Sequence, residues 1–406
     1  MSVSVADFWK LVADSRLLTV EQCRQLAEAA ARAQPDATAD VQRLAKWLIQ
    51  SSKLTRYQAR VLLAGRPGPF FYGDYCVYDR AESGRLAGLF RARHLPTRQG
   101  VGLKFLTGPA LQDADALSRL GPRVRAARQA GRQQPRLSQC YHVADLGAYK
   151  FIVLEDLRGE SLAERLARTN SGLPPAEACR IVRQIAQGLA DWHARGEAHG
   201  QIRPDNVWIA PEGAKLLQFP LLGDPLSPPA LPAEVESQAD YLAPELTAGA
   251  AADPRSDVYS VGCLLYRLLA GEAPYVGGSR DQKLARQARE APTPIVQRNP
   301  AVPAALAQVL GYLLEKLPER RYPDAAAVAE SLAPYAGADA AAGDPTTPAY
   351  EAWLDQLERG GPAPAVVAPV VAAPTVAAPA VARALPIAHS GGPSISVLPA
   401  APVANV

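Results

Sequence analysis

The run from His199 to Pro220, HGQIRPDNVWIAPEGAKLLQFP, constrains the fold more than any other stretch of this 406-residue chain. Two short β-type segments, Asn206 to Ile209 and Lys215 to Phe219, flank Pro211-Glu212-Gly213 and read as a β-hairpin. Before it, Ile181, Ile185, Leu189 and Trp192 recur at helical spacing, which predicts a helix buried along one face over Pro175 to His193. The chain therefore runs from a long helix through a polar loop into a hairpin. That loop holds His199, Gln201, Arg203 and Asn206, and the second strand ends at Gln218.

A loop reading His-x-x-Ile-Arg-Pro-x-Asn, followed about a dozen residues later by a strand ending x-Phe-x, resembles the catalytic and metal-binding loops of eukaryotic-type (Hanks-type) serine/threonine protein kinases, bacterial branch. The resemblance covers roughly Tyr72 to Tyr335. It implies an α+β, bilobal protein-kinase-like fold with a β-rich small lobe and an α-rich large lobe. An active member reads His-Arg-Asp and Asp-Phe-Gly at these places. Here the triplets are His199-Gly200-Gln201 and Gln218-Phe219-Pro220. The first aspartate takes the substrate's hydroxyl proton and the second holds Mg²⁺ against the phosphates. A glutamine amide is neutral, is no useful base near neutral pH, and offers one uncharged oxygen where a divalent ion wants carboxylate.

The same resemblance places further residues. Ala81 to Lys104 is similar to the Gly-rich hairpin and third strand of the small lobe, with Glu82, Gly84 and Ala87 at the three glycine positions, so only Gly84 is kept. Glu82 brings negative charge towards a triphosphate, which opposes binding. Lys104 stands where the family has its phosphate-contacting lysine. The glutamate expected to pair with it falls at Arg125 or Val124, and no acid occurs from Arg119 to Arg136. A cation there repels Lys104. His199 and Phe219 match the histidine and phenylalanine packed between the lobes. Arg203 stands for the catalytic-loop lysine and Asn206 for the second metal ligand; the plainer reading of Asn206 is a hydrogen bond within its own loop. Leu221 to Leu242 occupies the activation-loop position without a threonine. Ala243-Pro244-Glu245 is kept, Asp257 opens the segment resembling the central helix of the large lobe, and Arg321 matches the arginine that pairs with Glu245. Positions that hold the fold are kept, and positions that do chemistry are replaced.

Four segments divide the chain. Residues 1–66 read as a helical domain with an internal duplication: Leu18-Thr19-x-x-Gln22-x-x-x-Leu26 recurs 36 residues later as Leu54-Thr55-x-x-Gln58-x-x-x-Leu62, each with capping-box form. This domain either packs on the kinase-like domain after it or serves as a partner-binding or oligomerising module. Residues 67–71 are a linker, 72–335 the kinase-like domain, and 336–406 an Ala/Pro/Val-rich tail of disordered type. Within the tail, Tyr350, Trp353, Leu354 and Leu357 share one face of a short helix over 348–357, with Thr347 as N-cap and Pro348 at its first position. It suits docking back on the kinase-like domain or docking on a partner.

A net charge of +3 neither demands nor excludes an anionic partner. The six arginines from Arg119 to Arg136 lack the interleaved aromatics of a nucleic-acid platform and read as a solvated basic helix face. Five widely spaced cysteines fit free thiols in a reducing compartment. No signal peptide and no spanning helix is evident, the apolar late stretch being broken by Pro364, Pro369, Pro374, Pro379 and Pro386, so the expected location is the cytoplasm. The expectation for function is a catalytically impaired kinase-like protein, a pseudokinase that binds or scaffolds protein partners and requires no cofactor. ATP without stable Mg²⁺ is the one ligand for which residues, Gly84, Lys104 and Asn206, are retained. The alternative is an ATP-binding kinase with weak or unconventional phosphotransfer.

Overall fold

The computed structural model describes residues 3–33, 40–82, 86–106, 114–169, 171–218, 238–338 and 344–359. The duplication is visible in the backbone. Helices α1 (Val5–Asp14), α2 (Val20–Ala33), α3 (Val41–Gln50) and α4 (Arg56–Leu63) form a bundle in which α3 repeats the bounds of α1 under the 36-residue shift. Both capping boxes close, Thr19 with Gln22 (2.9 and 3.1 Å) and Thr55 with Gln58 (3.0 and 3.1 Å). The two non-glycine residues at left-handed φ that precede α2 and α4, Arg16 (62°) and Ser52 (56°), obey the same shift. Phe8, Val12, Leu44, Leu48 and Leu62 fill the core between the helices.

The small lobe is a six-stranded antiparallel sheet ordered β1-β2-β3-β4-β6-β5, made of β1 (Phe71–Tyr72), β2 (Tyr75–Arg80), β3 (Phe90–His94), β4 (Gly100–Phe105), β5 (Cys140–Asp145) and β6 (Lys150–Glu155). Helix α5 (Ala114–Gln133) lies between β4 and β5 in sequence. The period of two along each strand sorts the side chains. Ile152 and Leu154 join Leu120, Val124 and Ala127 of α5, while Val101, Leu103, Phe151 and Val153 face the other way. The bundle seats itself on β2 with its own capping residues. Thr55 Oγ1 donates to the Tyr78 carbonyl (2.5 Å) and Gln58 Nε2 to that of Val77 (3.0 Å), where a register shift in the ladder leaves these carbonyls accessible. The helical domain thus packs on the domain after it.

The large lobe begins after the hinge with a three-stranded sheet, β7 (Glu160–Ser161), β8 (Val207–Ala210) and β9 (Gly213–Leu216), and the helices α6 (Leu162–Arg168) and α7 (Pro175–Ala194). It continues with α8 (Pro244–Thr247), α9 (Pro254–Ala270), α10 (Arg280–Arg289), α11 (Ile295–Arg298), α12 (Ala304–Leu313) and α13 (Ala325–Ala336). Helix α9 is buried nearly all round, as a helix at the centre of a domain must be. Asp253 caps its start, and Gly271 at φ 81° ends it.

The chain then returns to the small lobe. Helix α14 (Pro348–Glu358), with N-cap Thr347 and Pro348 at its first position, buries Tyr350, Trp353 and Leu354 on the outer face of the sheet. Both faces of the small-lobe sheet are therefore covered. The arginines of α5 are only in part a solvated face, because Arg128 is 3% exposed and ion-paired to α14. Among the described residues no helix is long and apolar enough to cross a membrane. All five cysteines are free.

Two histidines sit in this seam. Burial pushes His94 and His142 down to about 4, the neighbouring His142 adding for His94 and the Arg128 charge for His142, while a hydrogen bond involving Val143 partly counters at His142. Between pH 6.5 and 4 protons bind the unfolded chain at these sites but not the folded one, so stability falls as pH falls through that window. Urea midpoints are expected to drop progressively as pH is lowered through that range. A flat midpoint would contradict the buried neutral assignment.

Candidate active site

The loop between α7 and β8 is shaped by one buried carboxylate. Asp257, at the start of α9 and fully buried, accepts from the backbone N–H groups of His199 (2.6 Å) and Gly200 (2.8 Å). Gly200 has φ 72°, a left-handed conformation a larger residue adopts only with strain. His193 Nδ1 accepts from the Ala325 N–H (2.9 Å), so its proton lies on Nε2 and is donated to Asp257 (3.1 Å). The start of α13, the end of α7 and the loop thus meet at one point. His199 Nε2 donates to the Leu217 carbonyl (3.0 Å), and desolvation lowers the His199 pKa.

Asn206 is fully buried and its Nδ2 donates to the Gln201 carbonyl (2.8 Å), the plainer of the two roles read for it. Gln201 itself is half-buried and Arg203 is buried. The Leu217 N–H donates to the Asn206 carbonyl (2.9 Å), which brings Asn206 beside Gln218. Gln218 is 1% exposed, and its environment is explicit. Its N–H donates to Ser138 Oγ (3.0 Å), while its side-chain Nε2 donates to the Ser138 carbonyl (2.7 Å) and to the Ala127 carbonyl of α5 (3.2 Å). The Gln218 amide is a cross-link between the hairpin exit and α5.

Lys104 stands on β4 opposite Ile152, and its charge reaches the buried Cys140 thiol, where it only partly offsets the upward push of burial. Of the two residues read at the glutamate position, Val124 turns inward and is 1% exposed, whereas Arg125 is exposed. The Glu82 carboxylate pairs with Arg60 of the helical bundle. Gly84, Phe219 and most of the activation-loop segment, residues 219–237, lie outside the described residues.

Sequence reading missed two elements here. A buried ion pair joins Lys215 Nζ of β9 to Glu155 Oε1 of β6 (2.5 Å; side chains 1% and 5% exposed), and Glu155 Oε2 accepts the Gln139 N–H (2.9 Å). Burial raises the Glu155 pKa, with Lys215 and Gln139 pulling the other way. The available signal was a single acid closing the apolar run Phe151 to Leu154 and a single lysine inside β9. The second element is Trp208 on β8. Its indole is 5% exposed, donates to the Arg158 carbonyl at the hinge (3.0 Å), and shares one apolar cluster with Leu89, Leu154, Leu157 and Leu217.

The family arginine is where expected. Arg321 makes a bidentate pair with Glu245, Nη1 to Oε1 and Nη2 to Oε2 at 2.8 Å each, and also donates to the carbonyls of Arg255, Glu315 and Lys316. Burial alone would raise the Glu245 carboxyl, but hydrogen bonds from Arg321 and Ser256 hold it below its usual range.

A family profile described as "Protein kinase domain" matches residues 83–332. The chain belongs to that family. Among curated relatives, the serine/threonine-protein kinase PknB of Mycobacterium leprae is 31% identical over 272 residues, covering 65% of this chain and 43% of the relative. The serine/threonine-protein kinase pkn2 of Myxococcus xanthus is 29% identical over 271 residues, 64% and 32% of the two chains. This chain thus covers less than half the length of either relative. A crystal structure of the PknI kinase domain of Mycobacterium tuberculosis superposes with a TM-score of 0.48 at 23% identity, over 66% of this chain and 97% of that one. This chain carries the domain of bacterial serine/threonine kinases, with a helical bundle before it and α14 after it.

Proposed function

We propose that this kinase domain does not carry out conventional phosphoryl transfer and serves as a binding, scaffolding or regulatory module for protein partners in the cytoplasm. The observation that carries the reading is the Gln218 amide. The two carbonyls it meets require a donor, and an amide NH₂ supplies one where a carboxylate cannot. The metal-ligand position is thereby spent on cohesion. What remains are two neutral amide oxygens, Asn206 Oδ1 and Gln218 Oε1, which have no hydrogen-bond partner among the described residues. This donor set does not fit Mg²⁺, which is held by carboxylates alongside substrate phosphates. Gln201 likewise offers no base, and general acid–base groups contribute about 10²–10⁴-fold.

The rival reading, weak or unconventional phosphotransfer, rests on Lys104, which β4 still carries in register. The test is a phosphotransfer assay with labelled ATP, Mg²⁺ or Mn²⁺ and a generic protein substrate, run beside Lys104→Ala. No incorporation above that control is expected. Incorporation that Lys104→Ala abolishes would establish the rival. Changing Gln201→Asp and Gln218→Asp together is expected to leave turnover absent, since α5 still lacks the glutamate; robust autophosphorylation would contradict that.

A further inference from the structure

The outer face of the small-lobe sheet and the basic edge of α5 form one continuous seat for α14. Tyr350 lies edge-on to Tyr141 (5.1 Å) and stacks with Trp353, whose ring centroid is 4.3 Å from that of His94. On the same helix Glu351, Asp355 and Glu358 occur at i, i+4 and i+7. All three meet the buried Arg128, and Arg132 one turn on takes Glu351 (2.8 Å) and Asp355 (3.3 Å). Gln99 fixes the approach, donating to the Pro345 carbonyl and accepting the Thr347 N–H. Because α13 belongs to the large lobe and α14 sits on the small one, the chain joins the lobes a second time, besides the hinge.

Two features make this tie reversible. An 11-residue helix is marginal in isolation, so α14 is helical because it is docked. The seam is also imperfectly satisfied. Trp353 Nε1, His94 Nε2 and Arg128 Nε are buried there without hydrogen-bond partners among the described residues, and each such atom forfeits its hydration uncompensated. Arg128 is the residue after Ala127, whose carbonyl takes the Gln218 amide, so α5 is held on one side by α14 and on the other by Gln218.

We propose that α14 is a detachable strap. Docked, it fixes α5 and closes the outer face of the sheet. Released, it uncovers an apolar surface around Tyr75, Val101, Tyr141 and Val153, edged by Arg128 and Arg132, that takes an amphipathic helix of a protein partner. That partner helix carries paired aromatics and carboxylates at the spacing of α14 itself, because the seat is complementary to that pattern in shape and charge. The inference deepens the binding-module reading and rests on it for the partner. Its test involves no nucleotide, so phosphotransfer by this chain would overturn that reading without touching the strap.

The test begins with hydrogen exchange on the full wild-type chain. The α14 amides are expected to exchange at least about tenfold faster than those of β6 and α9 under native conditions, as a locally opening unit does. Exchange of α14 only with global unfolding would overturn the strap. The second step uses Glu351→Lys with Asp355→Lys in the full chain, probed with a fluorescent synthetic peptide of residues 344–359. The variant is expected to bind this peptide at least about tenfold more tightly than wild type, whose tethered α14 competes at high effective concentration. A peptide with alanine at positions 350 and 353 is expected not to bind. A folded variant with exposed α14 that ignores the native peptide would overturn the docking surface. If the variant does not fold, the wild-type exchange pattern and displacement of α14 by excess peptide decide the matter instead.

Discussion

Gln218→Asp is expected to lower the melting temperature by about 5–10 °C, although it restores the residue an active kinase carries there. The substituted side chain is one methylene shorter and, when ionised, only accepts hydrogen bonds. It would face the Ser138 and Ala127 carbonyls in a site that is 1% exposed. Leaving a buried polar group unpaired costs about 1–3 kcal/mol, and adding a buried charge beside carbonyl oxygens costs more. At about 2–4 °C per kcal/mol for a domain of this size, the loss is well within the range of a melting scan. Gln218→Glu separates donor loss from shortening. Its carboxyl is held in the protonated, donating form by the carbonyls, so its pKa rises in the folded state and its deficit relative to wild type shrinks as pH falls. A melting temperature unchanged by Gln218→Asp would mean that the cross-link to α5 contributes nothing.

Arg321→Ala is the second large effect. The Arg321 side chain is fully buried, and removing it strands the Glu245 carboxylate and three carbonyls at once. Breaking a buried pair from one side costs about 3–5 kcal/mol, so a fall of about 10 °C, or failure of the large lobe to fold, is expected. The paired carboxylate also sets a pH sign. The Glu245 pKa is lowered on folding, so the stability it contributes is present above its ordinary carboxylate pKa and is lost as pH falls below that value. An unchanged melting curve for Arg321→Ala would show that the pair is not structural.

Much of this architecture is legible in the sequence because it is written in local pattern. The hairpin, the helix before it and the repeated Thr-x-x-Gln caps are each signalled within a dozen or so residues, and they occur at β8 and β9, α7, α2 and α4. The Glu245 to Arg321 pair is legible only through the family resemblance, since the two residues are far apart in sequence. What pattern does not give is direction. Arg125 and Val124 are neighbours, and only the seating of α5 on the sheet decides that valine turns inward. Lys215 and Glu155 meet across two strands from different lobes, a pairing no periodicity encodes. In sequence Gln218 reads as a lost ligand, whereas the cross-link it makes depends on where the Ser138 and Ala127 carbonyls come to lie. Arg128 looks like one arginine of a solvated face because its acidic partners lie on a helix beyond the kinase domain.

The most direct measurement is a thermal-shift titration of the purified chain with millimolar ATP, with and without Mg²⁺, beside Lys104→Ala. With no carboxylate at positions 201, 206 or 218 to hold the ion, no Mg²⁺-dependent shift is expected. A Mg²⁺-dependent stabilisation that disappears in Lys104→Ala would contradict the account and reopen the case for an enzyme.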